Sequence, residues 1–215
     1  MYLPPAFREE DLGTLHAFVQ QYSFATLITQ HEGVPFASHL PMLLQPQAGP
    51  YGTLIGHMAR ANPQWQDFAT GQEALVVFQG PHVYVSPSWY AVHPSVPTWN
   101  YAVVHAYGTP QVITDRVALY DILRELVQTF EAPSATPWAL AVPDEYLQSM
   151  MQGIVGFRMG ISRLQGKYKL SQNRSPQDQR RVAVALQAQG DALSTGVAAL
   201  MEQRVEMTPE QEIVP

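Results

Sequence analysis

FATLITQHEGVPFASHLPMLL, residues 24–44, alternates apolar and polar side chains on either side of the break His31-Glu32-Gly33. Alternation with a period of two marks a strand covered on one face, and a Gly-containing break between two such runs marks a turn. The stretch predicts a β-hairpin, residues 24–30 against 34–44. Strand-like runs recur at 53–58 (TLIGHM), 74–79 (ALVVFQ), 82–86 (HVYVS), 99–107 (WNYAVVHAY), 111–114 and 153–164. Gly80-Pro81 and Gly108-Thr109-Pro110 read as the turns that separate some of them. About six strands joined by turns indicate a β-barrel.

Helices frame these runs. Leu12, Leu15, Phe18, Val19 and Tyr22 recur at helical spacing over residues 8–22, with Glu9, Glu10 and Asp11 at the start, where the helix dipole favours acids. Residues 115–130 repeat the pattern behind Thr114 or Asp115 as cap, and helical stretches follow at 176–189 and 191–204. Asn62 is placed to cap, and Pro63 to open, a further helix directly after the strand at 53–58. The expected organisation is a single domain over 1–205, with residues 206–215 as a frayed tail.

Of the 215 residues, 46% are hydrophobic and 14% charged, enough for a core and too little charge for a disordered chain. The absence of cysteine excludes disulfides, thiolate zinc sites, iron–sulfur clusters and a cysteine nucleophile. The seven histidines are dispersed without ligand spacing, so no metal site is expected. There is no G-x-G-x-x-G, P-loop, H-E-x-x-H or G-x-S-x-G. The opening residues lack a signal-peptide pattern, and no run approaches the roughly 18 apolar residues of a membrane span, so a soluble cytoplasmic protein without membrane partners is expected.

The formal net charge of −6 argues against ordinary duplex DNA binding. The distribution is uneven: Arg60 is the only Lys or Arg between Arg8 and Arg116, whereas Arg158, Arg163, Lys167, Lys169, Arg174, Arg180 and Arg181 crowd together. Arg60 lies in Gly56-His57-Met58-Ala59-Arg60-Ala61-Asn62-Pro63-Gln64-Trp65, where a strand delivers it to a helix start. Such a start favours anions and makes Arg60 a phosphate candidate. The structural alternative is that Arg60 caps a carbonyl or pairs with Asp67. Ser38-His39-Leu40-Pro41 places two polar residues in an apolar strand, one of them facing a core or a cleft. Pro87-Ser88-Trp89-Tyr90 and Val96-Pro97-Thr98-Trp99-Asn100-Tyr101 could wall a planar ligand or form a dimer interface. The strip 166–174, holding both lysines, could bind phosphate, a heterocycle edge or nucleic acid, or be solvated charge.

These blocks occur in the order seen in one family. Met1-Tyr2-Leu3-Pro4, Phe24-Ala25-Thr26-Leu27, Ser38-His39-Leu40-Pro41, the block from Gly56 to Trp65, Phe78-Gln79-Gly80-Pro81-His82, Ser86 to Tyr90, Val96 to Tyr101 and Lys169-Leu170-Ser171-Gln172-Asn173-Arg174 together resemble the PaiB-type FMN-binding proteins. These are a branch of the flavin-binding split barrels that includes pyridoxamine-phosphate-oxidase-like folds. The resemblance implies a mainly β fold with peripheral helices, a six-stranded split β-barrel that forms a homodimer with FMN between its subunits. Ser38, His39, Leu40 and Pro41 would then follow the flavin and ribityl chain. His57, Met58, Ala59, Arg60 and Asn62 would lie on the phosphate side. The partner subunit would add Trp99, Asn100, Lys169 and Gln172. Relatives often carry Lys where this chain has Arg60; Arg keeps the charge and adds a bidentate fork.

Two roles follow from the resemblance. One is an FMN-dependent oxidoreductase exchanging electrons with a small-molecule donor or acceptor, although no residue marks itself as acid or base. The other is transcriptional regulation, the family's stated role, through DNA, a partner protein or a retained or lost flavin. A third reading has the same barrel bind haem through a histidine.

Overall fold

The structure is a computed structural model that describes residues 1–207. Its strands are β1 (Arg8–Glu9), β2 (Phe24–His31), β3 (Val34–Pro41), β4 (Leu43–Gln45), β5 (Thr53–Ala59), β6 (Ala74–Val85), β7 (Thr98–Ile113) and β8 (Ile154–Lys169). Its α-helices are α1 (Leu12–Gln21), α2 (Arg116–Glu131), α3 (Asp144–Gln152), α4 (Pro176–Gln189) and α5 (Ala192–Met207). Short 3-10 helices cover Pro5–Phe7, Pro63–Thr70 and Pro87–Trp89. The α5 helix takes in the first residues of the expected frayed tail, and 208–215 lie outside the described residues.

The architecture is a mainly antiparallel sheet with helices, in the strand order β3-β2-β6-β7-β8-β5-β4, with β1 beside β8. Eight strands replace the expected six. The two-residue β1 and the three-residue β4 are too short to show alternation in sequence. The order does not close into a ring, since β3 and β4 end it. The chain divides into two compact units, one of residues 12–78 and 105–164, the other of 1–11, 79–104 and from 165 on.

In the first unit, the predicted hairpin forms with Phe24 opposite Pro41 and His31 opposite Val34. Its two-residue turn, Glu32-Gly33, has positive φ at both positions, 50° and 80°, the primed geometry that matches strand twist. The expected strand 34–44 is interrupted at Met42, which is 1% exposed and donates its N–H to Ser23 O. One residue thus carries the chain from β3, at one end of the sheet order, to β4 at the other. Gly56 makes room for this corner, because a Cβ there would lie 3.3 Å from Pro41 O and from the Phe157 ring.

Around the corner, Leu27, Leu54, Val76, Phe78, Phe157 and Met159 are wholly buried, each contributing about 2 kcal/mol through removal from water. The α1 helix adds Leu15, Phe18 and Val19. It starts at Leu12 rather than residue 8, because Arg8 and Glu9 pair with Lys167 and Gly166 in a ladder. Asp115 caps α2 by accepting from Ala118 N at 2.8 Å, and Ile122 and Leu126 pack with Leu43 and Ile55. The helix rests over Gly156, where a Cβ would come within 2.6 Å of Leu119 Cδ1.

The second unit is built on the α4–α5 pair. Ser175 caps α4 behind Pro176, Gly190 ends it at φ 73°, and Asp191 Oδ1 accepts the N–H groups of Leu193 and Ser194 at the start of α5. Val182, Leu186, Val197 and Ala198 are wholly buried there.

Two predicted turns are strand interior. Gly80-Pro81 lies inside β6 and Gly108-Thr109-Pro110 inside β7. The ladder between β2 and β6 covers only Leu75–Val77, so proline at 81 lies past it and interrupts none of those pairs. Gly108 answers to a close approach instead of a bend, since a Cβ there would sit 2.2 Å from Gly160 O. Gly108→Ala is therefore expected to lower unfolding free energy by about 3 kcal/mol in urea denaturation. Gly160→Ala, whose Cβ would meet nothing nearer than Thr53 Oγ1 at 4.0 Å, should change it by less than about 0.5 kcal/mol.

Candidate functional site

The block from His57 to Asn62 leaves β5 and enters the 3-10 helix at Pro63–Thr70. Asn62 performs the predicted capping, its Oδ1 accepting from Gln64 N at 3.0 Å, while its Nδ2 donates to Ser38 Oγ at 2.8 Å. Two candidate residues from distant parts of the chain are thereby joined. Gln64, fully buried, donates from Nε2 to Leu27 O, Phe36 O and Thr29 Oγ1, stitching both strands of the hairpin to this segment. Of the other β3 candidates, His39 is exposed and its Nδ1 meets Thr26 Oγ1 at 3.0 Å, and Leu40 and Pro41 are half-buried.

Arg60 takes the carbonyl-capping alternative. Its Nε donates to Gln152 O at 2.7 Å and Nη2 to Ile154 O at 2.8 Å, neutralising the carbonyl end of α3. Three of its five N–H groups remain for another acceptor. The guanidinium borders a cavity of about 390 Å³ whose rim also holds Trp65, Arg116 and Gln148. His57 is half-buried, burial pushes its pKa below 6.5, and its Nδ1 has no hydrogen-bond partner although it is shielded from solvent. Met58 points into the core at 2% exposure, and Ala59 is exposed.

In the other unit, Trp99 stands 54% exposed on β7, with the rings of His82 and Tyr84 at 6.4 and 6.1 Å. Asn100, the next residue, points the other way and is fully buried, bonded to Ser171 Oγ at 2.9 Å and Met201 Sδ at 3.6 Å. Gln172 folds back on its own turn, accepting from Leu170 N and donating to Tyr168 O, while Ser171 takes φ 67°. Lys169 Nζ donates to Thr98 Oγ1 and Trp99 O. Asn100 is thus engaged with side chains and Gln172 with the backbone of its own turn, whereas Trp99 faces outward.

Several of the cations from Arg158 to Arg181 are engaged within their own unit. Arg163 pairs with Glu73 at 3.0 Å and covers the Tyr107 ring, Arg158 bonds Gln111, and Arg181 donates to Trp89 O. Among the described residues no His, Asp and Glu cluster could hold a metal, and no helix is long and apolar enough to cross a membrane.

One arrangement escaped the sequence reading. Asp67 accepts from His31 Nδ1 and from Thr29 Oγ1, both at 2.7 Å, and the bond to the carboxylate raises the His31 pKa above 6.5. The pair spans 36 residues and joins the hairpin turn to the 3-10 helix, so no local spacing announces it.

A family model described as "Putative FMN-binding domain" matches residues 1–163. "Protease synthase and sporulation protein PAI 2" of Bacillus subtilis (strain 168) is 37% identical over 207 residues, covering 95% of this chain and 98% of that protein. Among solved structures, the flavocytochrome Anf3 of Azotobacter vinelandii aligns with a TM-score of 0.58 at 15% identity, over 75% of this chain and 69% of that one. The FAD and heme binding protein of Mycobacterium smegmatis aligns at 0.52 and 15%, over 75% and 73%. At these identities the structural likeness concerns the fold.

The His31–Asp67 pair gives stability a pH dependence. Because the folded pKa of His31 lies above the unfolded value of 6.5, its stabilisation is complete below that value and is lost as pH rises through the folded pKa. The stability advantage of the wild type over Asp67→Asn in urea should be larger at about pH 5.5 than at about pH 9. The His31 imidazole should titrate above 6.5 by NMR, and lower in Asp67→Asn.

Proposed function

The chain belongs to the FMN-binding domain family, and we propose that it holds FMN in a homodimer of split barrels to which each subunit contributes both of its candidate surfaces. When bound, FMN supplies the redox chemistry, exchanging electrons with a small-molecule partner. In this reading Ser38 and Asn62, already bonded to each other, present polar groups to the ribityl chain, with His39, Leu40 and Pro41 lining its path. His57 and Arg60 lie on the phosphate side together with Met58 and Ala59, where Met58 contributes through its backbone because its side chain is buried.

The observation that carries this reading is the orphaned Nδ1 of His57. A buried ring nitrogen without a partner costs free energy unless something bonds it. Three residues on, Arg60 keeps three donors free. In this reading a ligand hydroxyl satisfies the His57 nitrogen and the phosphate the Arg60 donors.

Trp99 is the proposed contribution of the second subunit. An exposed tryptophan flanked by His82 and Tyr84 has the composition of an interface and the shape of a wall for a planar ring. Lys169 stands behind it, while Asn100 and Gln172 act by fixing the strand and turn that carry these two. The B. subtilis relative's name, with protease synthesis and sporulation in it, fits a role in which flavin occupancy is read as a signal.

The experiment is an absorption spectrum of the purified protein after adding FMN and removing the excess, with affinities from flavin fluorescence. The wild type should retain the flavin bands. Arg60→Gln should weaken FMN at least about tenfold and leave riboflavin unchanged, as loss of a charge-assisted phosphate contact requires. Trp99→Ala should weaken both flavins alike. A wild type that retains no flavin would end the proposal.

A further inference from the structure

Between α2 and α3, within the first unit, lies a cavity of about 300 Å³ that no residue of the proposed flavin site lines. Val117 and Tyr120 of α2, Leu147 and Met151 of α3, and Leu140 and Val142 from the segment joining the helices make its apolar wall. Two opposite charges line it as well, Arg116 at the first position of α2 and Asp144 at the first position of α3. Arg116 and Tyr120 are four residues apart, and Asp144, Leu147 and Met151 follow at three and four. Each helix therefore turns one face to the cavity, and its charged residue shares that face with its apolar ones.

Arg116 and Asp144 do not pair with each other, whereas further along α2 Asp121 and Arg124 pair at 3.0 Å. The dipole of α2 adds to the preference of Arg116 for an anion, and Asp144 with Glu145 outweighs the roughly half positive charge that the dipole places at the start of α3. The neighbouring cavities are built differently. Two guanidinium groups and no carboxylate line the one bordered by Arg60, and no Asp, Glu, Lys or Arg lines the apolar one beside Trp99. One fixed cation, one fixed anion and an apolar wall are complementary to a molecule that carries an ammonium, a carboxylate and an apolar body.

We propose that this cavity binds a free apolar α-amino acid, its carboxylate on Arg116, its ammonium on Asp144 and its side chain against the apolar wall. The guanidinium fork suits a carboxylate, and the Asp144 carboxylate accepts from an ammonium. A volume of about 300 Å³ stands at the low end of small-molecule sites, as a ligand of amino-acid size requires. A site that presents both charges rejects a molecule lacking either partner, because the unmatched charge must give up water for nothing. The inference uses residues apart from those proposed to hold FMN and does not depend on that reading.

The test uses the full chain at neutral pH and fixed ionic strength. Leucine, 4-methylpentanoate, 3-methylbutan-1-amine and glycine are titrated by calorimetry, and the weaker ligands by ligand-observed NMR. The second lacks leucine's ammonium, the third its carboxylate, and glycine its apolar side chain. Wild type should bind leucine at least about tenfold more tightly than each of the other three. Arg116→Gln and Asp144→Asn, both at exposed positions, should keep the wild-type thermal midpoint and each weaken leucine at least about tenfold. In Arg116→Gln leucine should lose its advantage over 3-methylbutan-1-amine, and in Asp144→Asn its advantage over 4-methylpentanoate. A merely structural role for either residue does not produce that crosswise pattern. Absence of leucine binding by the wild type at about 10 mM, or equal leucine affinity in wild type and both variants, overturns the proposal. FMN is titrated alongside by fluorescence: leucine bound without FMN removes the proposed function alone, and FMN bound without leucine removes this inference alone.

Discussion

At Pro41–Leu43 the chain leaves one edge of the sheet and reaches the other across a single residue. Everything in that unit depends on how tightly this corner can be made. Met42 is buried because the turn leaves it nowhere else to point, and Gly56 is a glycine because the Pro41 carbonyl passes where a side chain would be. The corner holds β3 as an edge strand none of whose residues is buried, and it is on β3 that Ser38 and His39 stand. An edge strand normally invites pairing with another chain, and Pro35 and Pro41 remove two donors from it.

Electrostatics is arranged with similar economy. Arg60, the sole cation over a hundred residues of chain, spends two donors on the carbonyl end of α3 and so ties the segment after β5 to the start of β8. Arg163 answers Glu73, and Arg204 answers Glu9. Other cations take neutral partners instead, Arg181 the Trp89 carbonyl and Lys167 the Tyr2 carbonyl. Three buried neutral atoms, His57 Nδ1, Gln64 Oε1 and Tyr90 OH, are without a hydrogen-bond partner among the described residues.

Much of this was legible in advance where a residue acts on its near neighbours. The hairpin, the Asn62 and Asp115 caps, and the α4 and α5 helices each follow from alternation, helical spacing or a capping side chain beside an apolar run. What failed were features whose cause lies far along the chain. Gly108 reads as a turn until Gly160 is seen against it. Residues 8 and 9 read as helix until β8 claims them. Asn100 stands beside Trp99 in sequence, but strand alternation sends the two to opposite faces, and the partners of Asn100 are 71 and 101 residues away. The nine-residue α3, behind Pro143 and with only Met151 buried, has too little apolar pattern to announce itself. The Asp67 carboxylate that organises His31 and Thr29 was likewise visible as an acid and invisible as a partner.

The division of the chain carries a consequence for its biosynthesis. Strands β6, β7 and β8 each begin in one unit and finish in the other, so one unit is assembled from three separated segments. Its opening segment includes β1, whose pairing residues, Gly166 and Lys167, are synthesised more than 150 positions later. No early stretch emerging from the ribosome can complete that unit, and its apolar residues between 79 and 104 must wait for α4 and α5. Such non-local closure slows folding and prolongs exposure of strand surface, which places the demand for chaperone protection late in translation. It also means that no single cut of the polypeptide releases either unit as a continuous piece.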